Sequence, residues 1–171
     1  MDARTDLKAI PIAVDLDGTL IATDLLWEGL FLLVKKNPLY LFMVPFWAFA
    51  GPARLKQEIA ARVHLDPAML PYRRDLIDRL EAERQAGRSI ILATGTPRKF
   101  ADAIAEHLGL FDHVLATENG HNLTSERKRK VLVDAYGDGG FDYAGNSRHD
   151  LKVFDAAREA IVVAPDRSAR R

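Results

Sequence analysis

The stretch IPIAVDLDGTLIATD, residues 10–24, carries two aspartates, Asp15 and Asp17, one residue apart between an apolar run and a glycine. Carboxylates this close at the end of a buried segment repel each other, and they are costly to desolvate unless something positive lies between them. The pair therefore implies a cation or a phosphoryl group. A bound divalent cation would keep Asp15 ionised and nucleophilic, while Asp17, facing the same opening, holds a proton for a leaving group.

Polar residues recur directly after apolar runs: Thr94 and Gly95 in IILATGTPRK, and Asn146 and Asp150 in AGNSRHD. Two aspartates from the first run and one from the last loop form a hard oxygen set, which suits Mg2+ held by one or two carboxylates, waters and a phosphate. In ATGTPRK, Thr96 reads as a helix N-cap with Pro97 at the first helical position. That leaves the Thr94 hydroxyl and the Gly95 amide to face an anion near a helix N-terminus. The run SERKRKVLV reads mainly as a solvated helix face, but one of its lysines reaching the phosphate would offset the crowding of negative charge. The histidines, His64, His107, His113, His121 and His149, lack the paired spacing of a transition-metal site. Only His149, inside the last loop, is placed to approach a substrate.

These residues need a scaffold that gathers strand ends. IPIAVDL reads as a strand buried on both faces. From Asp24 to about Gly87 come three or four helical stretches punctuated by NP, GP and DP, with no second strand. Strand and helix then alternate: RSIILAT, PRKFADAIAEHLG, HVLAT, SERKRKVLVDAYG, FDYAG, SRHDLKVFDAAR and AIVVAP. The expected fold is α/β, a doubly wound parallel sheet with a helical insertion after its first strand, and in such sheets ligands bind beyond the carboxyl ends of the strands. The expected division is a core of residues 1–23 and 88–171, with 24–87 as a cap insertion leading into the core helix before the second strand.

The 171 residues are 48% apolar, enough for one domain with a modest insertion. Lys plus Arg and Asp plus Glu both number 24, so no global basic field argues for nucleic acid. The absence of cysteine excludes disulfides, thiolate zinc sites and a cysteine nucleophile. The first residues mix in acidic side chains without the long apolar region of a secretory signal, so a cytoplasmic location is expected.

DLDGT, a threonine closing ILAT, a lysine at a helix start and a GN…D loop, in that order, resemble the haloacid dehalogenase (HAD) superfamily of aspartyl-phosphate phosphotransferases. The resemblance implies a Rossmann-like core, Asp15 as nucleophile and Asp17 as general acid and base. It implies phosphate contacts from Gly18, Thr19, Thr94 and Gly95, and charge neutralisation by Lys128, with Lys130 as second choice. It further implies Mg2+ held among Asp15, Asp17, Asn146 and Asp150. One departure stands out: the family's metal loop usually opens Gly-Asp, whereas Gly145 is followed by Asn146, which supplies an oxygen but no charge.

LYLFMVPFWAFA, Leu39 to Ala50, carries no charge and is too short to span a bilayer. One reading buries it as a cap over the site. Phe42, Phe46, Trp47 and Phe49 cover more of a helix than one buried stripe requires, so the other reading is a contact with a membrane surface or membrane-protein partner. DLLWEGL, NPLYLF, LDPAMLPY and FDYAGNSRHDLKVF also resemble the HAD-like domain that precedes a UbiA-type prenyltransferase in some bacterial membrane proteins. That resemblance implies work at the inner face of a membrane on a small or lipid-linked phosphorylated substrate. Two functions follow: a Mg2+-dependent phosphatase or phosphotransferase, or a catalytically weak domain that docks to a membrane prenyltransferase.

Overall fold

The structure, a computed structural model, describes residues 10–118 and 122–164. Its centre is β1 (Ile12–Val14), three residues with no exposed surface. The strands β2 (Ile90–Pro97), β3 (His113–Thr117), β4 (Asp142–Gly145) and β5 (Ala160–Val162) complete a sheet of order β3-β2-β1-β4-β5, every pair parallel. Ile12 is in register with Ile90 on one side and Asp142 on the other, and Val14 with Leu92 and Ala144. The chain builds outward through β2 and β3, then returns to lay β4 on the other flank of β1. The direction of winding thus switches between β1 and β4, and the crevice at such a switch point is where ligands bind.

Four helices lie between β1 and β2: α1 (Leu25–Lys36), α2 (Val44–Phe49), α3 (Pro52–Arg62) and α4 (Arg74–Gln85). The later helices are α5 (Arg98–Leu108), α6 (Ser125–Tyr136) and α7 (Leu151–Phe154). Because side chains alternate along a strand, the sheet feeds two cores. Ile12, Val14, Ile90 and Leu92 pack with Leu25, Ile59, Leu80, Phe100 and Ile104 from the helices of one face. Ala13, Ile91, Ala93 and Tyr143 pack with Leu132 of α6 and Val153 of α7 on the other. The α/β doubly wound parallel sheet expected from the sequence is the fold observed.

Two local expectations are corrected. Helix α5 starts at Arg98 rather than Pro97, and Thr96 does not cap it, because the Thr96 hydroxyl is drawn to Asp17 instead. The helix expected across SRHDLKVFDAAR shrinks to a 3-10 turn, Arg148–Asp150, and the short α7. There Ser147 and Asp150 form a reciprocal capping box that tightens the turn.

The uncharged stretch splits into a 3-10 segment, Pro38–Phe42, and α2. Trp47 is buried, with the Arg62 guanidinium 4.7 Å from its ring centre, whereas Phe42, Phe46 and Phe49 are 73%, 69% and 91% exposed. Trp27 and Phe31 of α1 are exposed as well. The buried-cap reading therefore holds for Trp47 and fails for the phenylalanines. Among the described residues no helix is long and apolar enough to cross a membrane.

Candidate active site

Beyond Val14 the chain coils tightly, with Leu20 and Ile21 both donating backbone hydrogen bonds to the Leu16 carbonyl at 3.0 and 3.1 Å. Gly18 makes this possible. Its φ is +76°, and a Cβ there would lie 2.3 Å from Asn146 Nδ2, so both backbone conformation and close approach exclude a side chain. Arg73, just before α4, donates from Nε and Nη2 to the Gly18 carbonyl at 3.3 and 3.2 Å and pins the coil from outside. Asp15 and Asp17 consequently line one cleft of about 680 Å³ at the carboxyl end of the sheet, together with Gly18, Lys56, Gly95, Lys128, Asn146, His149 and Asp150.

Lys128 enters from the first turn of α6, buried, and its Nζ donates to Asp15 Oδ1 and to the Tyr143 hydroxyl, each at 2.8 Å. Tyr143 in turn donates to Asp150 Oδ1 at 2.8 Å. Asp150 Oδ2 accepts from the Asn146 and Ser147 amides and from Ser147 Oγ at 3.1 to 3.3 Å. Asp150 is thereby saturated. Gly145 leaves room for it, since a Cβ there would lie 2.9 Å from the carboxyl group. Lys130 is exposed and pairs with Asp134 at 2.6 Å, away from the cleft. Burial raises the Asp15 carboxyl above its ordinary value, and the Lys128 ammonium opposes that rise.

Asp17 has different surroundings. Its Oδ1 accepts from the Leu25 amide at 2.8 Å, and its Oδ2 from Thr96 Oγ1 at 2.6 Å. Burial nevertheless pushes it up to about 6, with these hydrogen bonds pulling the other way. Two carboxylates on one coil thus differ: Asp15 meets an ammonium, Asp17 only neutral donors. Thr94 is fully buried and does not line the cleft; its Oγ1 accepts from the Thr96 amide at 3.0 Å and, among the described residues, donates to nothing.

The sites for a metal are sparse. Among the described residues no group of three His, Cys, Asp or Glu is arranged to hold one. Asp17 and Asp150 accept hydrogen bonds on both of their oxygens, so Asp15 offers the least engaged carboxylate oxygen of the three. Asp15 Oδ2 is nearly unused, 3.5 Å from Thr19 Oγ1, and the same hydroxyl lies 3.3 Å from Asn146 Oδ1. One carboxylate oxygen and one amide oxygen gathered around Thr19 fit a hydrated Mg2+, which binds through one or two protein oxygens and keeps waters or phosphate for the rest. Thr19 itself is buried between these two groups.

Sequence reasoning passed over Thr96, Tyr143, Arg73 and Lys56. Tyr143 had a signal, a hydroxyl in a buried strand two residues before Gly145. Lys56 had none, because α3 carries charges typical of any exposed helix. Among the histidines of the described residues, His149 lines the cleft and His107 stacks on Tyr72 at 5.9 Å, whereas His121 lies outside the described residues.

Residues 12–155 match the family described as haloacid dehalogenase-like hydrolase. Over 157 residues the chain is 38% identical to the uncharacterized protein y4nM of Sinorhizobium fredii, covering 91% of this chain and 30% of that protein. The chain thus spans under a third of the length of that relative. A protein of unknown function from Bordetella pertussis Tohama I shares the fold at a TM-score of 0.69 and 15% identity, covering 92% and 91% of the two chains. An apo phosphoserine phosphatase does so at 0.64 and 14%, covering 94% and 89%.

Proposed function

Because this chain belongs to the haloacid dehalogenase-like hydrolase family, we propose that it is a Mg2+-dependent phosphoric monoester hydrolase or phosphotransferase that works through an aspartyl phosphate on Asp15. The observation that carries this reading is the unequal pair at the mouth of the sheet. Asp15 is held by Lys128 at 2.8 Å, and Asp17, two residues on, is pushed up to about 6. Burial raises both carboxyls, but only Asp15 faces an ammonium, which favours the ionised form that a nucleophile needs, whereas the neutral donors around Asp17 leave it the better placed of the two to carry a proton.

A carboxylate oxygen of Asp15 attacks phosphorus and the bond to the ester oxygen breaks, while Asp17 gives its proton to the departing oxygen. Asp17 then takes a proton from water, which attacks the acyl phosphate and frees Asp15 and phosphate. Lys128 offsets the negative charge that gathers as nucleophile and phosphoryl group meet. The unused proton of Thr94 and the Gly95 amide supply neutral phosphate donors, once the Thr94 rotor turns toward the cleft. Asp15 and Asn146 would hold Mg2+, with Asp150 fixing the loop that presents Asn146; the ion supplies charge neutralisation at the phosphoryl oxygens. Incubation with Mg2+ and p-nitrophenyl phosphate tests the reading: turnover that disappears in Asp15→Asn supports it, and no release of phosphate by the parent protein sinks it.

A second reading is favoured by one surface. Trp27, Phe31, Phe42, Phe46 and Phe49 are all more than 60% exposed. The exposed Lys35 and Lys36 close α1, between Phe31 and Phe42 in the chain. Aromatic side chains beside lysines are the composition of a surface that rests on anionic lipid. The surface supports residues 39–50 as a contact with the inner face of a membrane, and with it a lipid-linked phosphate as substrate or a membrane prenyltransferase as partner. Co-sedimentation with vesicles containing anionic lipid, lost in the Phe46→Ser/Phe49→Ser double variant, is the expected result. Equal recovery in the supernatant with and without vesicles overturns it.

A further inference from the structure

Lys56 is a cation in the cleft that the proposed chemistry does not use. It projects from α3, lines the same cleft as Asp15 and Asp17, and its Nζ donates to the Gly95 carbonyl at 3.2 Å. Among the described residues no carboxylate lies within ion-pair distance of it. The neighbouring cations of α3 are occupied: Arg54 and Arg62 both pair with Glu58. Lys56 alone on this helix keeps an uncompensated charge in a partly enclosed, polar cleft.

Its position relative to the reacting groups is informative. Gly95, which it touches, precedes Thr96, whose hydroxyl holds Asp17 at 2.6 Å. Lys128, by contrast, holds Asp15 and adjoins Asp150 and Tyr143. The two lysines therefore enter the cleft from different elements, Lys128 in contact with Asp15 and Lys56 in contact with Gly95, on the segment that leads to the Asp17 partner Thr96. Under the hydrolase reading, on which this step rests, Asp17 protonates the leaving oxygen, so the Lys56 side is where the leaving group lies. An ammonium there, held only by a backbone carbonyl, is free to exchange that contact for an anion, and hydrogen bonds between ionised groups are stronger than those to neutral carbonyls.

We propose that Lys56 forms a subsite for a second anionic group on the leaving-group side of the substrate, so that the preferred phosphomonoester carries a carboxylate or a further phosphate beyond the scissile bond. Lys56 is in this account a specificity residue rather than one that takes part in the chemistry. The geometry also makes α3, a helix of the segment between β1 and β2, the element that reads the substrate.

The experiment measures binding, so that it stands apart from turnover. Calorimetric titrations of the Asp17→Asn protein, which keeps both residues assigned to Mg2+, compare propyl phosphate, 3-phosphonooxypropanoate and propane-1,3-diol bisphosphate in the presence of Mg2+, each repeated with Lys56→Met added. The expected result is that a ligand with a second anion binds about tenfold or more tightly than propyl phosphate, and that Lys56→Met erases this preference by weakening the ligands with a second anion more than it weakens propyl phosphate. Which of the two ligands with a second anionic group gains more identifies that group as carboxylate or phosphate. Equal affinities for all three ligands, a preference that persists in Lys56→Met, or no binding of any of them overturns the proposal. Absence of phosphate release by the parent protein, with the preference intact, would instead remove the hydrolase reading and leave the anion subsite standing.

Discussion

Asp15 and Asp17 share a coil but not an electrostatic environment, and the difference predicts how each responds to perturbation. Burial lifts Asp17 to about 6 from an ordinary 3.8. Between those values the folded chain keeps a proton that the unfolded chain releases, so stability is highest below the window and falls as pH rises through it. In metal-free protein the loss should be on the order of 2 kcal/mol, allowing for the solvent that reaches the cleft side of the group. Urea unfolding between pH 4 and 7 in a chelator reads it: Asp15 is raised too and contributes in both proteins, so the parent should lose more stability across that range than Asp17→Asn, and equal slopes would refute the assignment. Asn146 makes a complementary case. Its amide oxygen lies by Thr19, which also approaches Asp15, so Asn146→Asp adds a carboxylate beside one that already needs an ammonium. That variant should be less stable without metal and show a larger upward shift in Tm on adding Mg2+ than the parent, because a ligand that binds only the folded state stabilises in proportion to its affinity. A smaller shift would mean that Asn146 does not face the ion.

At the scale of elements, the strand and helix alternation was legible because β1, β2 and β3 are apolar runs that lead into Asp15, Thr94 and Thr117, and α5 carries an apolar stripe of Phe100, Ala101 and Ile104. The presence of Lys128 in the cleft was legible for a related reason: it lies one helical turn ahead of Leu132, the buried residue of α6, so both share the inward face. Thr96 was misread as a cap because the local motif Thr-Pro is sound helix chemistry, and only the tertiary fold brings Asp17 within 2.6 Å to compete for the hydroxyl. The exposure of Phe42, Phe46 and Phe49 was equally illegible, since composition cannot say which side of a short helix meets the core. The contact of α1 with α3 shows how the helical segment bears on the site. A Cβ at Gly29 would lie 2.8 Å from Ile59 Cγ2, so these helices meet through a glycine. Helix α1 begins at Leu25, whose amide holds Asp17, and α3 carries Lys56. Gly29→Leu should wedge the helices apart, at a net loss on the order of 1 to 2 kcal/mol after the gain in helix propensity. Urea denaturation checks it as a lowered midpoint with an unchanged m value; a midpoint at or above that of the parent would show that α1 and α3 accommodate the side chain without strain.

Taken across the whole molecule, buried carboxylates occur at both ends of the sheet, and their compensation differs. At the carboxyl mouth Asp15 has one ammonium and an open cleft. At the other end Asp142, the first residue of β4, is fully buried and receives two guanidiniums, from Arg88 ahead of β2 and Arg158 ahead of β5. Arg88 also donates to the Ile10 carbonyl at 3.0 Å and reaches Glu83 of α4 at 3.3 Å, so this cluster ties together the starts of four strands, β1, β2, β4 and β5, and the end of a helix. It leaves no oxygen free and adjoins no residue of the cleft, which assigns it to cohesion rather than chemistry. A pair of charges taken from water gives little net stability against an apolar replacement, but removing one partner strands the others. Asp142→Ala would leave the buried Arg88 with only Glu83 at 3.3 Å, and the expected cost is about 3 kcal/mol, the low end for breaking a buried pair. The mouth, built from the opposite ends of the same strands, should keep its arrangement in molecules that remain folded. The check is a urea titration combined with Mg2+-dependent phosphate release normalised to the folded fraction: stability should drop steeply while activity per folded molecule stays within about twofold, less than one hydrogen bond's worth of barrier. A proportionate loss of activity per folded molecule would mean that the two ends of the sheet are coupled.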